Sequence, residues 1–400
     1  MTTAPALDGR AWFATMSGLS ASLVAIGLAR FAYTPLVPPL IAAHWFPASD
    51  VVALGAANFA GYLAGALIGQ PLAQRFTGPP VLRLMMVMAT AAFFACAWPV
   101  SIGWFFAWRF LSGLSGGAIM VLVATSILPH IPAGRRGLVG GIIFLGVGLG
   151  IAASGTLVPA LLRLGLRETW LGLGALSLAL TAVSWFGWPG HHRPPASAAP
   201  ASLREGAGLR VLYGEYALNA LGLVPVMMLL ADYVARGLGR GIDAGALTWV
   251  IYGLGSIVGP VLCGQLGDRI GFGRGYRLVL LGQAAGLAAL GVTGDPLVVG
   301  IATAAVGAFT PGIAPLVLGR IQELSAGNPD GQRLGWSRAT VAFALFQALG
   351  GYGYAFLFTH SDENYAAIFY CGAAALLIAA AADQLMAFRQ WRRPGAARSG

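Results

Sequence analysis

The fold is decided by the segment GYLAGALIGQPLAQR (Gly61–Arg75), because the second half of the chain contains a related segment, GSIVGPVLCGQLGDR (Gly255–Arg269). The two segments align without gaps at a shift of 194 residues. The identical pairs are Gly61 and Gly255, Gly65 and Gly259, Leu72 and Leu266, and Arg75 and Arg269. Self-similarity at one fixed shift indicates a repeated structural unit. We therefore predict a protein built from two related halves.

The composition is that of an integral membrane protein. Of the 400 residues, 57% are hydrophobic and only 10% are charged, and the mean hydropathy is +0.75. Soluble domains carry about 25% charged residues. A bilayer span needs about 20 mostly apolar residues, so the apolar runs can be counted as helices. They predict twelve spans, near residues 12–41, 51–72, 81–99, 103–128, 138–161, 170–188, 211–231, 245–266, 277–293, 297–318, 337–358 and 364–388.

A polar segment separates the sixth span from the seventh. Residues 189–210, PGHHRPPASAAPASLREGAGLR, have a composition typical of a flexible linker. We predict an all-α membrane protein whose twelve transmembrane helices form two pseudo-symmetric six-helix bundles. The bundles would comprise residues 1–188 and 211–388, followed by a tail at 389–400. Both repeated segments run into loops on the same side, so the axis that relates the bundles would lie along the membrane normal.

The arginines predict the orientation. All 24 basic residues are arginine, and the net charge is +10. If the N-terminus is cytoplasmic, 18 of them lie in cytoplasmic segments, four lie on the opposite side, and Arg30 and Arg109 lie within spans. The positive-inside rule then places both termini in the cytoplasm of a multi-pass protein of the bacterial inner membrane. Because the charge follows topology, its partner is the lipid bilayer and not nucleic acid, and we infer no protein partner.

Several classes of chemistry lack the residues that they need. The absence of lysine excludes a P-loop lysine and a Schiff-base lysine. Cys96, Cys263 and Cys371 lie in separate spans, and no histidine has a ligand-like partner at helical spacing, so we predict neither a metal site nor a cofactor. A lipid-modifying enzyme would need a catalytic cluster at a membrane face, and we find none. We predict a non-enzyme, with a membrane sensor or a polytopic lipid-modifying enzyme without transport activity as alternatives.

The loop after the eighth span carries a recognisable motif. GQLGDRIGFGR (Gly264–Arg274) matches G-x-L-x-D-R-x-G-x-x-R, and in this it resembles the major facilitator superfamily of transporters. The resemblance implies a cytoplasmic latch between the bundles, formed here by Gly264, Asp268, Arg269, Gly271 and Arg274. A purely topological role for these arginines is the alternative. The first-half counterpart has Gln74 where the family usually has an acid, which weakens any latch there.

Two further spans carry partial family motifs. WRFLSGLSGGA, with Arg109 and Gly113, resembles an R-x-x-x-G pattern, which implies that Arg109 assists proton movement. The alternative is an arginine that snorkels to the outer interface. In GVGLGIAASG, Ile151 and Ser154 stand where the family's antiporter motif has proline and glycine, so helix packing is sufficient to explain the glycines.

The first span contains a charge near its middle. GLARFAYTPLVPPL (Gly27–Leu40) places Arg30 and Tyr33 on one helix face, followed by three prolines that loosen the helix. An arginine at mid-span costs about 2.5–3.5 kcal/mol on insertion scales unless it meets water or a partner. This stretch, with WVIYGLG (Trp249–Gly255) in the eighth span, resembles the YbfB/YjiJ-like bacterial branch of the superfamily, which identifies no substrate.

These observations predict a secondary transporter that moves a small anionic or polar organic solute by alternating access, driven by protons. Arg30 would bind the solute, and four polar neighbours would complete the site: Tyr33, Asn58, Asn219 and Gln347. Glu215 or Asp232 would carry the coupled proton. The alternative is a permanent Arg30–Glu215 ion pair that only fixes helix packing.

Overall fold

A computed structural model describes residues 8–132, 135–190, 206–325 and 328–391. Within these residues the chain forms twelve long helices and no strand, which confirms the predicted fold class. The helices are α1 (Gly9–Ala42), α2 (Ala48–Phe76), α3 (Gly78–Ala95), α4 (Ile102–Ile127), α5 (Arg136–Leu162), α6 (Leu166–Ser184), α7 (Ala207–Gly237), α8 (Ile242–Ile270), α9 (Phe272–Val292), α10 (Pro296–Leu324), α11 (Pro329–His360) and α12 (Tyr365–Trp391).

Eleven of these helices are long and apolar enough to cross a membrane. The twelfth, α6, has 19 residues and begins with Arg167 and Glu168 close to its N-terminus, which lowers its mean hydropathy. α7 begins at Ala207 and so includes the end of the predicted linker. Most of that linker (191–205) and most of the predicted tail (392–400) lie outside the described residues.

The first helix changes its winding at mid-length, and the change begins before the three prolines. α1 passes from an α-helix into a π-helix at Leu23–Leu28, then through a short α-helical turn into a 3₁₀ turn at Thr34–Leu36. π-helical turns are rare and occur frequently at functional sites. Arg30 lies directly after the π-helix, in the three-residue α-helical turn Ala29–Phe31.

The internal repeat is visible in the contacts between backbones. A Cβ atom on Gly61 of α2 would lie 1.9 Å from the carbonyl oxygen of Phe110 of α4. In the second half, a Cβ atom on Gly255 of α8 would lie 2.4 Å from the carbonyl oxygen of Ala304 of α10. The same shift of 194 residues relates both pairs. The crossing of α2 and α4 is therefore repeated by α8 and α10. Glycine at both positions lets the helix backbones approach this closely, because it has no side chain.

The two halves pack together at some distance from the membrane face at which α2 and α8 end. We call the membrane face at which α2 and α8 end, at Phe76 and Ile270, the linker face. A Cβ atom on Gly253 of α8 would lie 2.5 Å from Ala152 of α5, and one on Gly351 of α11 would lie 3.2 Å from Ala56 of α2. These contacts lie at mid-membrane and in the half opposite the linker face. Nearer that face, a Cβ atom on Gly140 of α5 or Gly264 of α8 would meet nothing within 4 Å.

Candidate solute-binding site

Arg30 is buried between the two halves without an acidic partner. Its residue is 8% exposed, and none of the ion pairs among the described residues includes it. Among the described residues its one hydrogen bond runs from Nη2 to the Met227 sulfur of α7, at 3.7 Å, and its Nε has no partner there. The guanidinium instead contacts aromatic rings, with 4.7 Å to the centroid of Phe59 and 4.9 Å to that of Tyr62.

Arg109 of α4 is a second buried cation. The residue is 3% exposed, so it does not snorkel to an interface. Its Nη1 donates to the carbonyl oxygen of Ala29 at 2.7 Å, and its guanidinium lies 4.1 Å from the centroid of the Tyr33 ring. Its Nε has no partner. Arg109 therefore contacts α1 on both sides of Arg30.

Four of the predicted residues line one narrow pocket: Arg30, Tyr33, Asn58 and Arg109. The Tyr33 hydroxyl donates to the carbonyl oxygen of Val51 at 2.7 Å. Because the hydroxyl is bonded there, Tyr33 contributes its aromatic ring to the wall of the pocket. The Asn58 amide donates to the Ser112 hydroxyl at 2.9 Å and to the carbonyl oxygen of Arg109 at 3.3 Å, which leaves its Oδ1 without a partner. α7 closes the pocket with Met227 and Met228.

The two predicted polar neighbours from the second half have different positions. Gln347 of α11 donates from Nε2 to the Met227 sulfur at 3.3 Å, the same sulfur that Arg30 contacts. Asn219 of α7 instead donates to Oε1 of Gln283 in α9, at 2.7 Å, and does not line the pocket. Gln347 therefore shares the Met227 sulfur with Arg30 but does not line the pocket, and Asn219 stays within the second half.

Glu215 lies apart from Arg30. The residue is 2% exposed, and the charged groups that act on it are Asp383, Arg320 and Arg277, all in the second half. The alternative of a permanent Arg30–Glu215 ion pair is therefore wrong. Arg277 pairs with Asp383 at 2.7 Å and Arg320 pairs with Glu323 at 3.0 Å, so within the described residues Glu215 has no cation of its own. Its Oε1 has no hydrogen-bond partner.

Asp232 is fully engaged at the far end of α7. It is 0% exposed and forms two hydrogen bonds with the Arg236 guanidinium, at 2.6 and 2.8 Å. It also accepts a hydrogen bond of 2.6 Å from the Tyr365 hydroxyl of α12. Arg236 in turn pairs with Glu363 at 2.9 Å. This network ties α7 to α12 and lies outside the pocket.

The predicted latch is not engaged in this structure. Asp268, Arg269 and Arg274 are exposed and take part in none of the ion pairs of the described residues. Gly271 has φ +88° and ψ 145°, a conformation open to glycine, and its N–H donates to the carbonyl oxygen of Gly267 at 2.8 Å. It ends α8 and begins the turn into α9. The open latch agrees with the space beside Gly140 and Gly264, where an added Cβ atom would meet nothing within 4 Å.

The residues that sequence analysis missed are mainly the pocket's apolar walls. Phe31, Phe59 and Met227 line it, and Tyr62 covers Arg30 from α2. In an apolar span such residues look like ordinary core or lipid-facing positions. One signal was available in the sequence: Tyr62 follows Asn58 by one turn, so the two residues lie on the same face of α2.

The WVIYGLG stretch of α8 forms part of the contact between the halves. The Trp249 and Tyr252 rings stack at 4.7 Å with an interplanar angle of 4°. Trp249 also packs against Phe31 of α1, and its Nε1 donates to the Ser154 hydroxyl of α5 at 3.0 Å. The stretch therefore supplies a rigid wall beside the Arg30 pocket.

Comparison with known proteins agrees with the geometry. The family model described as uncharacterised MFS-type transporter YbfB matches residues 22–384. The chain belongs to the major facilitator superfamily. It is therefore a multi-pass membrane protein and a secondary transporter, not an enzyme.

Similar proteins are transporters of small molecules. The chain is 31% identical over 129 residues to the 4-hydroxybenzoate transporter PcaK of Acinetobacter baylyi (strain ATCC 33305 / BD413 / ADP1). That match spans 31% of this chain and 28% of the relative.

Solved structures of other members share the fold. A D-xylose-proton symporter has a TM-score of 0.72 at 17% identity, covering 93% of this chain and 96% of that one. The nucleoside transporter NupG has 0.73 at 11%, covering 94% and 99%. The xylose transporter XylE from E. coli, in a partially occluded inward-open conformation, has 0.72 at 16%, covering 97% and 100%.

Proposed function

We propose that this transporter moves a small organic anion and that Arg30 binds the anionic group. The observation that carries the proposal is a buried guanidinium whose one hydrogen bond within the described part of the chain is to a thioether sulfur. Buried polar groups are nearly always hydrogen-bonded, and a buried charge without an acid needs another partner. An anionic solute that enters the pocket supplies that partner.

The walls of the pocket favour an aromatic carboxylate. Phe31 and Phe59 line it, and the Met227 and Met228 side chains close it with polarizable sulfur. Planar rings pack well against such a surface, while Arg30 takes the carboxylate. The similarity to a transporter whose name specifies 4-hydroxybenzoate supports the same substrate class.

Alternating access is the mechanism that the packing supports. The halves pack together at mid-membrane and beyond, and space remains beside Gly140 and Gly264 towards the linker face. We propose that this face is cytoplasmic, with both termini on that side of the inner membrane. Rocking of residues 1–188 against 211–388 would open the pocket to the opposite face. The latch residues Asp268, Arg269 and Arg274 would then close the linker face.

Glu215 is the better of the two acids for carrying a coupled proton. An ionisable side chain inside the membrane marks a proton path more often than a structural role. Glu215 is buried without its own cation, whereas Asp232 already has Arg236 and the Tyr365 hydroxyl. We therefore assign coupling to Glu215 and a structural role to Asp232.

The test is uptake of radiolabelled 4-hydroxybenzoate and related aromatic carboxylates into proteoliposomes under an imposed pH gradient. We expect uptake by the parent protein and a fall of about tenfold or more for Arg30→Gln, since a charge-assisted hydrogen bond contributes roughly 1.5–3 kcal/mol. Arg83→Gln is the matched control, because Arg83 is bonded to the Trp185 carbonyl oxygen far from the pocket. Equal uptake by parent and Arg30→Gln would refute the proposal.

A further inference from the structure

Two buried cations share the pocket, and no acid balances them. Arg30 and Arg109 both line it, and the described lining residues include no aspartate or glutamate. The resemblance to the superfamily implied a proton-handling role for Arg109, but its position beside Arg30 indicates a different one.

The rings that contact the arginines do not serve as hydrogen-bond partners for their Nε groups. Phe59 and Tyr62 lie against Arg30 at 4.7 and 4.9 Å, and Tyr33 lies against Arg109 at 4.1 Å. A guanidinium carries its N–H groups in its own plane, so a ring stacked on its face does not use them. The Nε groups of both arginines have no partner among the described residues.

Arg109 is also held in a defined orientation. Its Nη1 is bonded to the Ala29 carbonyl oxygen at 2.7 Å, immediately before Arg30 in the chain. Asn58 holds the backbone of Arg109 from α2, at 3.3 Å. Arg109 is thereby fixed in the pocket that Arg30 also lines.

We propose that Arg30 and Arg109 bind the same carboxylate of the substrate, each donating to it from the edge of its guanidinium. The inference rests on the proposed function and adds a second substrate ligand to it. Two arginines favour a planar anion with two acceptor oxygens over a neutral group of the same shape. Arg109 would then govern the preference for the acid over its uncharged analogues.

The experiment measures binding of 4-hydroxybenzoate and of uncharged 4-hydroxybenzamide to the detergent-purified full chain, by calorimetry at one pH without a gradient. We expect Arg109→Gln to weaken binding of the acid about tenfold or more and to change binding of the amide by less than about twofold. Arg109→Lys keeps the charge and should recover part of the preference for the acid. In Arg30→Gln/Arg109→Gln the losses should not add, because both residues contact one group.

Other roles for Arg109 give different results. If it only positions α1 through Ala29, Arg109→Lys, which keeps a donor for that carbonyl oxygen, binds the acid as the parent does. If it only relays protons, neither affinity changes in Arg109→Gln in the absence of a gradient. Either result overturns the inference. The melting temperature without ligand checks folding, and if Arg109→Gln is unfolded, an Arg109→Lys protein with unchanged acid and amide affinities is equally contrary.

Failure of the inference can be told from failure of the proposed function. If Arg30→Gln loses the acid while Arg109→Gln binds it as the parent does, only the second ligand is refuted. If the parent binds no aromatic carboxylate, the proposed function is refuted and this inference with it.

Discussion

At the scale of the residue, Arg30 is balanced by aromatic rings and not by an acid. Placing an arginine at mid-membrane costs about 2.5–3.5 kcal/mol on insertion scales. Each cation–π contact returns about 0.5–2 kcal/mol, and Arg30 has three, with Phe31, Phe59 and Tyr62. Rings can thus offset the cost without cancelling the charge. An internal carboxylate would have competed with the substrate for the same donors.

The ring and the hydroxyl of Tyr33 should have separable effects. Tyr33→Phe removes the hydrogen bond to the Val51 carbonyl oxygen, and we expect a loss of about 1 kcal/mol in stability with binding of 4-hydroxybenzoate nearly unchanged. Tyr33→Leu also removes the ring beneath Arg109, and we expect weaker binding as well. Melting temperature and calorimetry measure the two effects. A phenylalanine variant as deficient in binding as the leucine variant would contradict this assignment.

Neutralising Glu215 should separate transport from its driving force. We expect Glu215→Gln to exchange labelled for unlabelled solute across proteoliposomes as the parent does, but to lose accumulation driven by a pH gradient. Glu323→Gln is the control, because its side chain is 40% exposed and pairs with Arg320 near the linker face. Loss of exchange together with accumulation would mean that Glu215 shapes the pocket instead.

At the scale of the element, glycines determine how closely helices cross. The crossings of α2 with α4 and of α8 with α10 bring a glycine against a backbone carbonyl, and the two crossings have the same register. The glycines of α5 act similarly, since a Cβ atom on Gly150 would lie 2.5 Å from Gly27 of α1. This confirms the interpretation of GVGLGIAASG as a packing stretch.

Adding one methyl group at a crossing should therefore destabilise the protein. In Gly61→Ala the new Cβ would meet the Phe110 carbonyl oxygen at 1.9 Å, and overpacking of this kind typically costs about 1–3 kcal/mol. Gly140→Ala is the matched control, since nothing lies within 4 Å of its Cβ position and alanine favours a helix. Thermal unfolding in detergent should show a lower midpoint for the first variant only. Equal midpoints would argue against the crossing geometry.

At the scale of the whole molecule, the halves pack together at mid-membrane and in the half opposite the linker face. There α5 packs on α8, and α2 packs on α11. Nearer the linker face, a Cβ atom on Gly140 of α5 or Gly264 of α8 would meet nothing within 4 Å. A transporter that works by rocking must break the first set of contacts in order to expose the pocket to the opposite face.

A reversible cross-link across that contact should stop transport. The Cβ position of Gly351 lies 3.2 Å from the Cβ of Ala56, near the range of about 3.5–4.5 Å that a disulfide needs. We expect Ala56→Cys/Gly351→Cys, with the three free native cysteines replaced by alanine, to lose uptake on oxidation and regain it on reduction. Each single-cysteine variant serves as the control. Undiminished uptake by fully cross-linked protein would exclude rocking at this contact.

The sequence by itself determined the membrane class, the twelve helices and the twofold repeat. These features depend on hydropathy and on the internal repeat, and both can be calculated from the order of the residues along the chain. It also indicated Arg30, Tyr33, Asn58 and Arg109, because a polar residue inside an apolar span is conspicuous wherever it points.

Only the tertiary structure decided which of those residues meet. The rotation of each helix about its axis is set by contacts between residues far apart in the chain, such as Gly61 with Phe110. That rotation turned Gln347 towards the Met227 sulfur that Arg30 also contacts, and Asn219 towards Gln283, although both are amides in apolar spans. It also separated Glu215 from Arg30 and surrounded the guanidinium with rings that look like ordinary core residues in the sequence.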